Sequence, residues 1–450
     1  MAALSPVLLQ AAAERMPRYT SYPTAPNFTP AVDDAVARDW LRALGPGPTA
    51  SLYFHVPYCR ALCWYCGCHT MIPSNDAAIE RYVDSLVTEL DMVSSLPRAW
   101  LRVTHLHWGG GTPTIIGSSA MRRLHEAIAR KFRIDAAAEL AIEVDPRMLT
   151  SEMAEALGDL GFTRASLGVQ TLDPIVQHAI HRIQSAGITE MAVRELRAAG
   201  IEAINIDLIY GLPHQTIASC ADTAERVLAM GPDRVAVFGY AHVPSLKPRQ
   251  RHIDETALPD AALRFAQAEA ISEIFVAAGY RHIGLDHFAK PGDALTQALD
   301  AGTLRRNFQG YTTDRADALL GFGASAIGQL PQGYLQNTPR ISAYQDTIAA
   351  GRLATVRGFA LKAEDRLRAA VIERLMCDLT VDLRSVAATY FPDFDFARER
   401  LALGELASEG LVEIRGARIT VPEAMRPFVR HVASVFDIFQ AVGATHAPAV

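Results

Sequence analysis

An open, partial (β/α)6 TIM-like barrel, preceded by an N-terminal arm and followed by a mainly helical C-terminal domain, is the α/β fold that this 450-residue sequence predicts. Three observations predict it. Between Ser51 and Ala241 short apolar runs alternate with helix-period stretches, the pattern of βα units around a parallel sheet. The C-terminal ends of those runs carry glycine and polar residues, as strand ends do where a barrel mouth holds chemistry. Beyond about residue 355 the alternation gives way to helical patterns.

Taken in order, residues 1–35 hold Pro17-Arg18-Tyr19-Thr20-Ser21-Tyr22-Pro23 and further prolines, which break helices and predict an extended arm. Residues 36–354 form the barrel. Its strands are expected at Ser51–Pro57, Val103–Gly109, Glu139–Pro146, Arg164–Gln170, Ala203–Gly211 and Arg234–Ala241. Helical patterns at Ile79–Leu96, Ser118–Phe132, Ser151–Leu160 and Thr189–Ala199 lie between them, several opened by a Ser or Thr N-cap. Six units fall short of the eight that close a TIM barrel, so the barrel is open. In residues 355–450, helices at Leu361–Cys377, Leu383–Tyr390 and Ala397–Glu409 precede a hairpin at Gly410–Val421. Such an order can belong to a winged-helix DNA reader. From Ala360 to Val450, however, 11 Lys and Arg face 13 Asp and Glu, so no basic face is evident and a packing or lid domain is expected.

Composition narrows the function. With 50% hydrophobic and 20% charged residues the chain is globular rather than disordered, and a net charge of −6 argues against nucleic acid as a partner. No apolar run reaches the roughly 18–20 residues that span a bilayer, and Met1–Gln10 lacks the cationic flank of a secretory leader, so a cytoplasmic protein without membrane insertion is expected. Six cysteines are too few for a disulfide scaffold, and four of them lie between Cys59 and Cys68. Cys220 and Cys377 read as small buried hydrophobes.

Cys59-x3-Cys63-x2-Cys66 places three thiols within eight residues after the first strand, tight enough to hold three irons of one [4Fe–4S] cube and leave the fourth open. A structural zinc usually takes two separated pairs of ligands, which this loop does not offer. An electron-transfer cluster would need a fourth ligand, and Cys68 remains a strained candidate for it. Three-cysteine ligation at this spacing resembles the radical S-adenosylmethionine superfamily. Beside such a loop, Gly109-Gly110-Gly111-Thr112-Pro113 would let backbone groups approach a small zwitterion. Glu143 would face ribose hydroxyls or an ammonium group. Asp207, on an apolar strand, is costly to bury unpaired, and Arg182 is the candidate to share its ligand. Phe322–Gly328 has the wrong glycine spacing for a dinucleotide fingerprint and is expected to lack a preceding strand; Ile327 reads instead as an apolar wall against an adenine.

The match then narrows. Pro17–Pro23, Cys66-Gly67-Cys68, His107–Thr114, Ser166–Gln170, Asn205–Pro213, Tyr240-Ala241-His242, Asp286-His287-Phe288 and Asn307–Thr313 together resemble the oxygen-independent coproporphyrinogen III oxidase family over nearly the whole chain. The resemblance implies oxidative decarboxylation of the ring A and B propionates of coproporphyrinogen III to the vinyls of protoporphyrinogen IX. It implies a [4Fe–4S] cluster on Cys59, Cys63 and Cys66 and two S-adenosyl-L-methionine molecules. The first would be lined by Tyr53, Gly110, Glu143 and Ile327, the second by Tyr65, Gly111, Thr112, Gln170, Arg182, Asp207 and Ala241. The family often has Phe where Tyr65 stands and Asn where Gly239 stands.

Cys68 is expected beside the substrate as a catalytic residue that transfers a proton or an electron. An external electron donor and acceptor and a monomer are also expected. For the substrate's four carboxylates the candidates are Arg249 and Arg251, in a stretch that also holds Lys247, and the pair Arg305-Arg306. Two rivals are weighed. A haem-binding chaperone relative is disfavoured, because there Phe usually replaces Cys68 and the arm and the Asn307–Thr313 segment are absent. Another radical enzyme, such as a methyltransferase, could use the same two-cofactor pocket.

Overall fold

The six apolar runs become the parallel strands β1 (Thr49–Val56), β2 (Arg102–Gly110), β3 (Arg133–Val144), β4 (Arg164–Gln170), β5 (Ala203–Tyr210) and β6 (Arg234–Gly239), hydrogen-bonded in that order. The computed structural model describes residues 6–45, 47–439 and the strand Ala447–Pro448. Met1–Ser5, the first half of Met1–Gln10, lies outside the described residues. Between the strands run α1 (Asp76–Ser94), α2 (Gly117–Lys131), α3 (Ser151–Asp159), α4 (Ala186–Ala198) and α5 (Ile217–Ala229), and α6 (Ala261–Ala277) follows β6. Side-chain caps start several of them: Asn75 accepts from Ala78 N, Thr150 from Met153 N and Ser185 from Ile188 N, which satisfies amide groups a helix leaves open at its first turn.

Later strands extend this sheet on both sides. They are β7 (Arg281–Ile283), β8 (His287–Ala289), β9 (Ala318–Phe322), β10 (Ile327–Leu330), β11 (Gly333–Asn337) and β12 (Thr355–Ala360), and the twelve-stranded order is β12-β11-β10-β9-β1-β2-β3-β4-β5-β6-β8-β7. β9 is parallel to β1, so the parallel array has a seventh strand that the alternation did not reveal. An aromatic ladder locks that junction: Phe54 on β1 stacks on Trp108 of β2 at 4.5 Å and on Phe322 of β9 at 4.7 Å, all three fully buried. Such pairs contribute about 0.5–1.5 kcal/mol each beyond the area they bury.

Two sequence expectations need correction. The arm is not wholly extended, since Pro6–Ala13 forms a helix; its run of Leu and Ala favours helix, and Pro6 sits at the helix start, where proline is tolerated. A strand, β9, does precede Phe322–Gly328, but the element after it is the strand β10 and not the helix a dinucleotide fold requires.

The C-terminal part has a core of its own, built on α7 (Ala363–Asp378), α8 (Leu383–Tyr390), α9 (Ala397–Ser408) and a small sheet of β13 (Thr380–Asp382), β14 (Glu413–Arg415) and β15 (Arg418–Thr420). Tyr19 and Tyr22 of the arm are buried in that core. Cys220 and Cys377 are buried as expected, and burial raises both thiols.

One buried carboxylate braces the sheet. Glu89 of α1 accepts from Gly323 N at 2.7 Å, Asn337 Nδ2 at 2.7 Å and Tyr344 OH at 2.8 Å, which ties the β9–β10 turn to α1. Burial pushes its carboxyl up to about 7 despite these three donors. The folded chain therefore holds a proton that the unfolded chain releases from about pH 4.5, and stability from this group falls as pH rises through about 7. Between pH 5.5 and 8 the wild type is expected to lose about 2 kcal/mol relative to Glu89→Gln in urea unfolding. Parallel pH profiles for the two proteins would contradict this.

Candidate functional site

The cysteine loop follows β1 directly and is closed at its base. Cys59 N donates to Met71 O at 3.0 Å and Met71 N to Pro57 O at 2.9 Å, while Trp64 N donates to Ile180 O at 3.0 Å. The buried amide of Gln250 reaches in from beyond β6 and donates to Tyr65 O at 2.9 Å and Ala241 O at 3.0 Å. Loop and strand end are thereby held at a set separation.

Each of the three sulfurs accepts hydrogen bonds. Thr70 Oγ1 and Thr112 Oγ1 donate to Cys59 Sγ at 3.2 and 3.5 Å. Arg182 Nη1 and Arg147 Nη2 approach Cys63 Sγ at 3.5 and 3.8 Å. The backbone N–H of Cys68 donates to Cys66 Sγ at 3.4 Å. Such donors stabilise thiolates and set the potential of a cluster they hold. Asp145 holds both arginines, at 2.6 Å from Arg147 and 3.3 Å from Arg182, and although burial opposes it, they keep its carboxyl below its ordinary value. Among the described residues no three His, Cys, Asp or Glu side chains close on a single-ion site, whose thiolates would stand about 4 Å apart at Zn–S bonds of about 2.3 Å. Three thiols on one short loop, each accepting hydrogen bonds, are the donor set that fits three corners of an iron–sulfur cube.

The glycine run continues β2 alongside the loop. Gly110 has φ +114° and a Cβ there would stand 2.7 Å from the His55 ring; a Cβ on Gly111 would stand 2.5 Å from Tyr58 O. The backbone can reach this position beside the cysteines only without side chains. Gly110 N donates to Glu143 Oε2 at 3.1 Å, which orients the carboxylate at the end of β3.

A cavity of about 530 Å³ opens over these groups. It gathers Cys59, Cys63, Cys66 and Cys68 with Tyr65, Gly110, Gly111, Thr112, Glu143, Gln170, Arg182, Asp207 and Ala241. Gln170 enters it from a bulge, with φ 72° and a register shift between β4 and β5 that turns its side chain off the strand. Asp207 is held by Asn205 Nδ2 at 2.8 Å and Ser166 Oγ at 3.1 Å, and burial, followed by the charge of Glu143, raises its carboxyl to about 6. Two expected residues stand outside this lining. Tyr53 lies behind Gly109, its OH 3.0 Å from His55 Nδ1 and its ring stacked on His107, and Ile327 opens β10, paired with Gln336.

Cys68 and Glu143 also line a second cavity of about 280 Å³ inside the barrel, which continues the first. Of the candidate carboxylate clamps, Arg249 lines the main cavity, together with Lys247 of the same stretch; Arg251 is exposed, Arg305 pairs with Glu373 at 3.0 Å, and the guanidinium of Arg306 lies 4.3 Å from the Tyr311 ring centre. Sequence reasoning missed Arg147 and Gln250. The Asp-x-Arg spacing of Asp145 and Arg147 at a strand end was a signal for the first; nothing local marked Gln250.

Residues 53–227 match the radical SAM superfamily. Oxygen-independent coproporphyrinogen III oxidase of Bradyrhizobium diazoefficiens is 52% identical over 425 residues, 94% of each chain. That of Paracoccus denitrificans is 44% identical over 440 residues, 97% of each chain. The solved structure of coproporphyrinogen III oxidase (HemN) from Escherichia coli, described as a radical SAM enzyme, aligns with a TM-score of 0.90 over 95% of this chain and 100% of that one, at 35% identity.

Proposed function

From the premise that this chain belongs to the oxygen-independent coproporphyrinogen III oxidase family, we propose which of its residues carry each part of the reaction. The enzyme is a radical SAM oxidoreductase of haem biosynthesis that decarboxylates the ring A and B propionates of coproporphyrinogen III to the vinyls of protoporphyrinogen IX. The [4Fe–4S] cluster with S-adenosylmethionine, when bound, supplies the hydrogen-abstracting 5′-deoxyadenosyl radical. Once a propionate has lost its β-hydrogen, the bond to its carboxylate breaks, CO2 leaves, one electron passes to an external acceptor and the vinyl remains.

Cys59, Cys63 and Cys66 hold the cluster; the observation that carries this assignment is the set of donors converging on each of their sulfurs. Gly110 and Glu143 receive one S-adenosylmethionine; Tyr53, behind the glycine run, and Ile327, at the start of β10, would back that site from outside the cavity's lining. Tyr65, Gly111, Thr112, Gln170, Arg182, Asp207 and Ala241 receive a second, and their presence around one cavity supports the reading. Arg182 and Arg147, braced by Asp145, keep positive charge against Cys63. Asp207 offers a carboxylate to a cationic sulfonium or ammonium group, an attraction that favours its ionised form over the proton burial would keep. The enzyme works as a cytoplasmic monomer with an external electron donor. No helix among the described residues is long and apolar enough to cross a membrane.

Anaerobic incubation of the reconstituted protein with coproporphyrinogen III, S-adenosylmethionine, a low-potential reductant and an added one-electron acceptor is expected to yield protoporphyrinogen IX and two CO2. A methylated product, or none from cluster-loaded protein, would overturn the reading. In Asp207→Ala, iron and sulfide are expected at wild-type levels while protoporphyrinogen falls below detection; unchanged turnover would remove Asp207 from the second site.

A further inference from the structure

We infer that Arg18, carried to the barrel mouth by the N-terminal segment, binds a carboxylate of the substrate that does not react; the inference rests on the coproporphyrinogen reading above. The segment is anchored on both sides of Arg18's cleft. Tyr19 OH donates to Asp437 Oδ2 at 3.1 Å, Tyr22 OH accepts from Ile438 N at 3.1 Å, and Tyr22 O accepts from Tyr334 OH at 3.3 Å, so the C-terminal domain and the sheet both grip it. Arg306 Nη2 donates to the Arg18 carbonyl at 3.3 Å. With its neighbours pinned, Arg18 projects against the end of β6, where Nη2 donates to Gly239 O at 2.6 Å and the guanidinium lies 5.9 Å from the Phe238 ring centre.

That position lines the main cavity and also a small one of about 70 Å³ shared with the C-terminal domain. Four other cations line the main cavity, and three are committed: Arg147 and Arg182 to Asp145, and Arg249 to Thr70 O. Arg18 spends one N–H on Gly239 and has no carboxylate within ion-pair distance among the described residues. Asp286, the acid whose charge acts most on it, is already bonded to His287 at 2.7 Å. A guanidinium in a cleft with free N–H groups and no ion-pair partner among the described residues is built to receive a carboxylate, in bidentate geometry where space allows. The substrate brings four, of which two survive the reaction. Lys247, also without a carboxylate partner among the described residues, stands at the other wall, beside Gly67, and leaves room for a second such contact.

The test uses the cluster-loaded full-length enzyme. Arg18→Gln is expected to raise KM for coproporphyrinogen III about tenfold to a hundredfold with a smaller change in kcat, as loss of one charge-assisted contact does. Arg18→Lys should recover part of it. Loosening of the arm could also impair turnover, so the deciding readout is a preference. Wild type should favour the free acid over the analogue whose ring C and D propionates are methyl esters by about tenfold or more in kcat/KM, and Arg18→Gln should lose most of that preference. If Arg18→Gln does not fold, the same ratio in Arg18→Lys is expected to fall by about threefold or more. An unchanged preference, or an unchanged KM in a variant that folds, overturns the inference. Wild-type enzyme that makes no protoporphyrinogen at all overturns instead the reading on which it rests.

Discussion

Cys63→Ala is expected to leave the reconstituted protein without iron, sulfide or any protoporphyrinogen formation. Cys63 is the buried thiol of the three, and two guanidinium groups approach its sulfur. Removing it takes away one of the three proposed ligands and leaves the charges of Arg147 and Arg182 facing a space that no thiolate balances. Iron and sulfide quantitation, with the visible absorbance of a [4Fe–4S] centre, reads the outcome. Wild-type iron content in Cys63→Ala would remove it from the ligand set, and stoichiometric zinc without iron in the wild type would sink the cluster assignment for the loop.

The other large effect is expected at Cys68. Its backbone N–H donates to Cys66 Sγ, and its side chain lines both the main cavity and the one inside the barrel. A ligand role would pull it away from that junction. We expect Cys68→Ser to retain iron and sulfide while decarboxylation falls by at least about a hundredfold, the scale lost with a group that moves a proton in the rate-limiting step. Loss of iron in Cys68→Ser would make it a fourth ligand. Full activity would reduce it to a packing residue and weaken the distinction from the chaperone relative.

How much of the molecule is legible in its sequence depends on distance along the chain. The six parallel strands and their helices follow from periodicity, because a buried strand and an amphipathic helix each need their apolar residues at fixed short spacings. The cysteine loop and the glycine run are equally local: three thiols within eight residues, and three glycines at one strand end. The helix at Pro6–Ala13 was lost to prolines ten residues further on, and β9 to its brevity; five residues ending in a glycine-rich turn carry too little pattern to separate strand from loop.

The sequence by itself determined the order of βα units, the identity of the thiols and the chemistry such a loop can hold. Only the tertiary structure decided which partners those thiols meet. Thr112 reaches Cys59 across 53 positions and Arg182 reaches Cys63 across 119, because Thr112 follows the end of β2, Arg182 lies in the connection between β4 and α4, and the sheet brings both to one mouth. Arg18 meets Gly239 across 221 positions, and the burial of Tyr19 and Tyr22 in the C-terminal core, with the bonds from Tyr334 and Arg306, brings it there. Local pattern records how each segment buries its own apolar face. Where the polar ends of those segments converge is set by how the faces pack against one another, a sum over contacts between residues far apart in the chain.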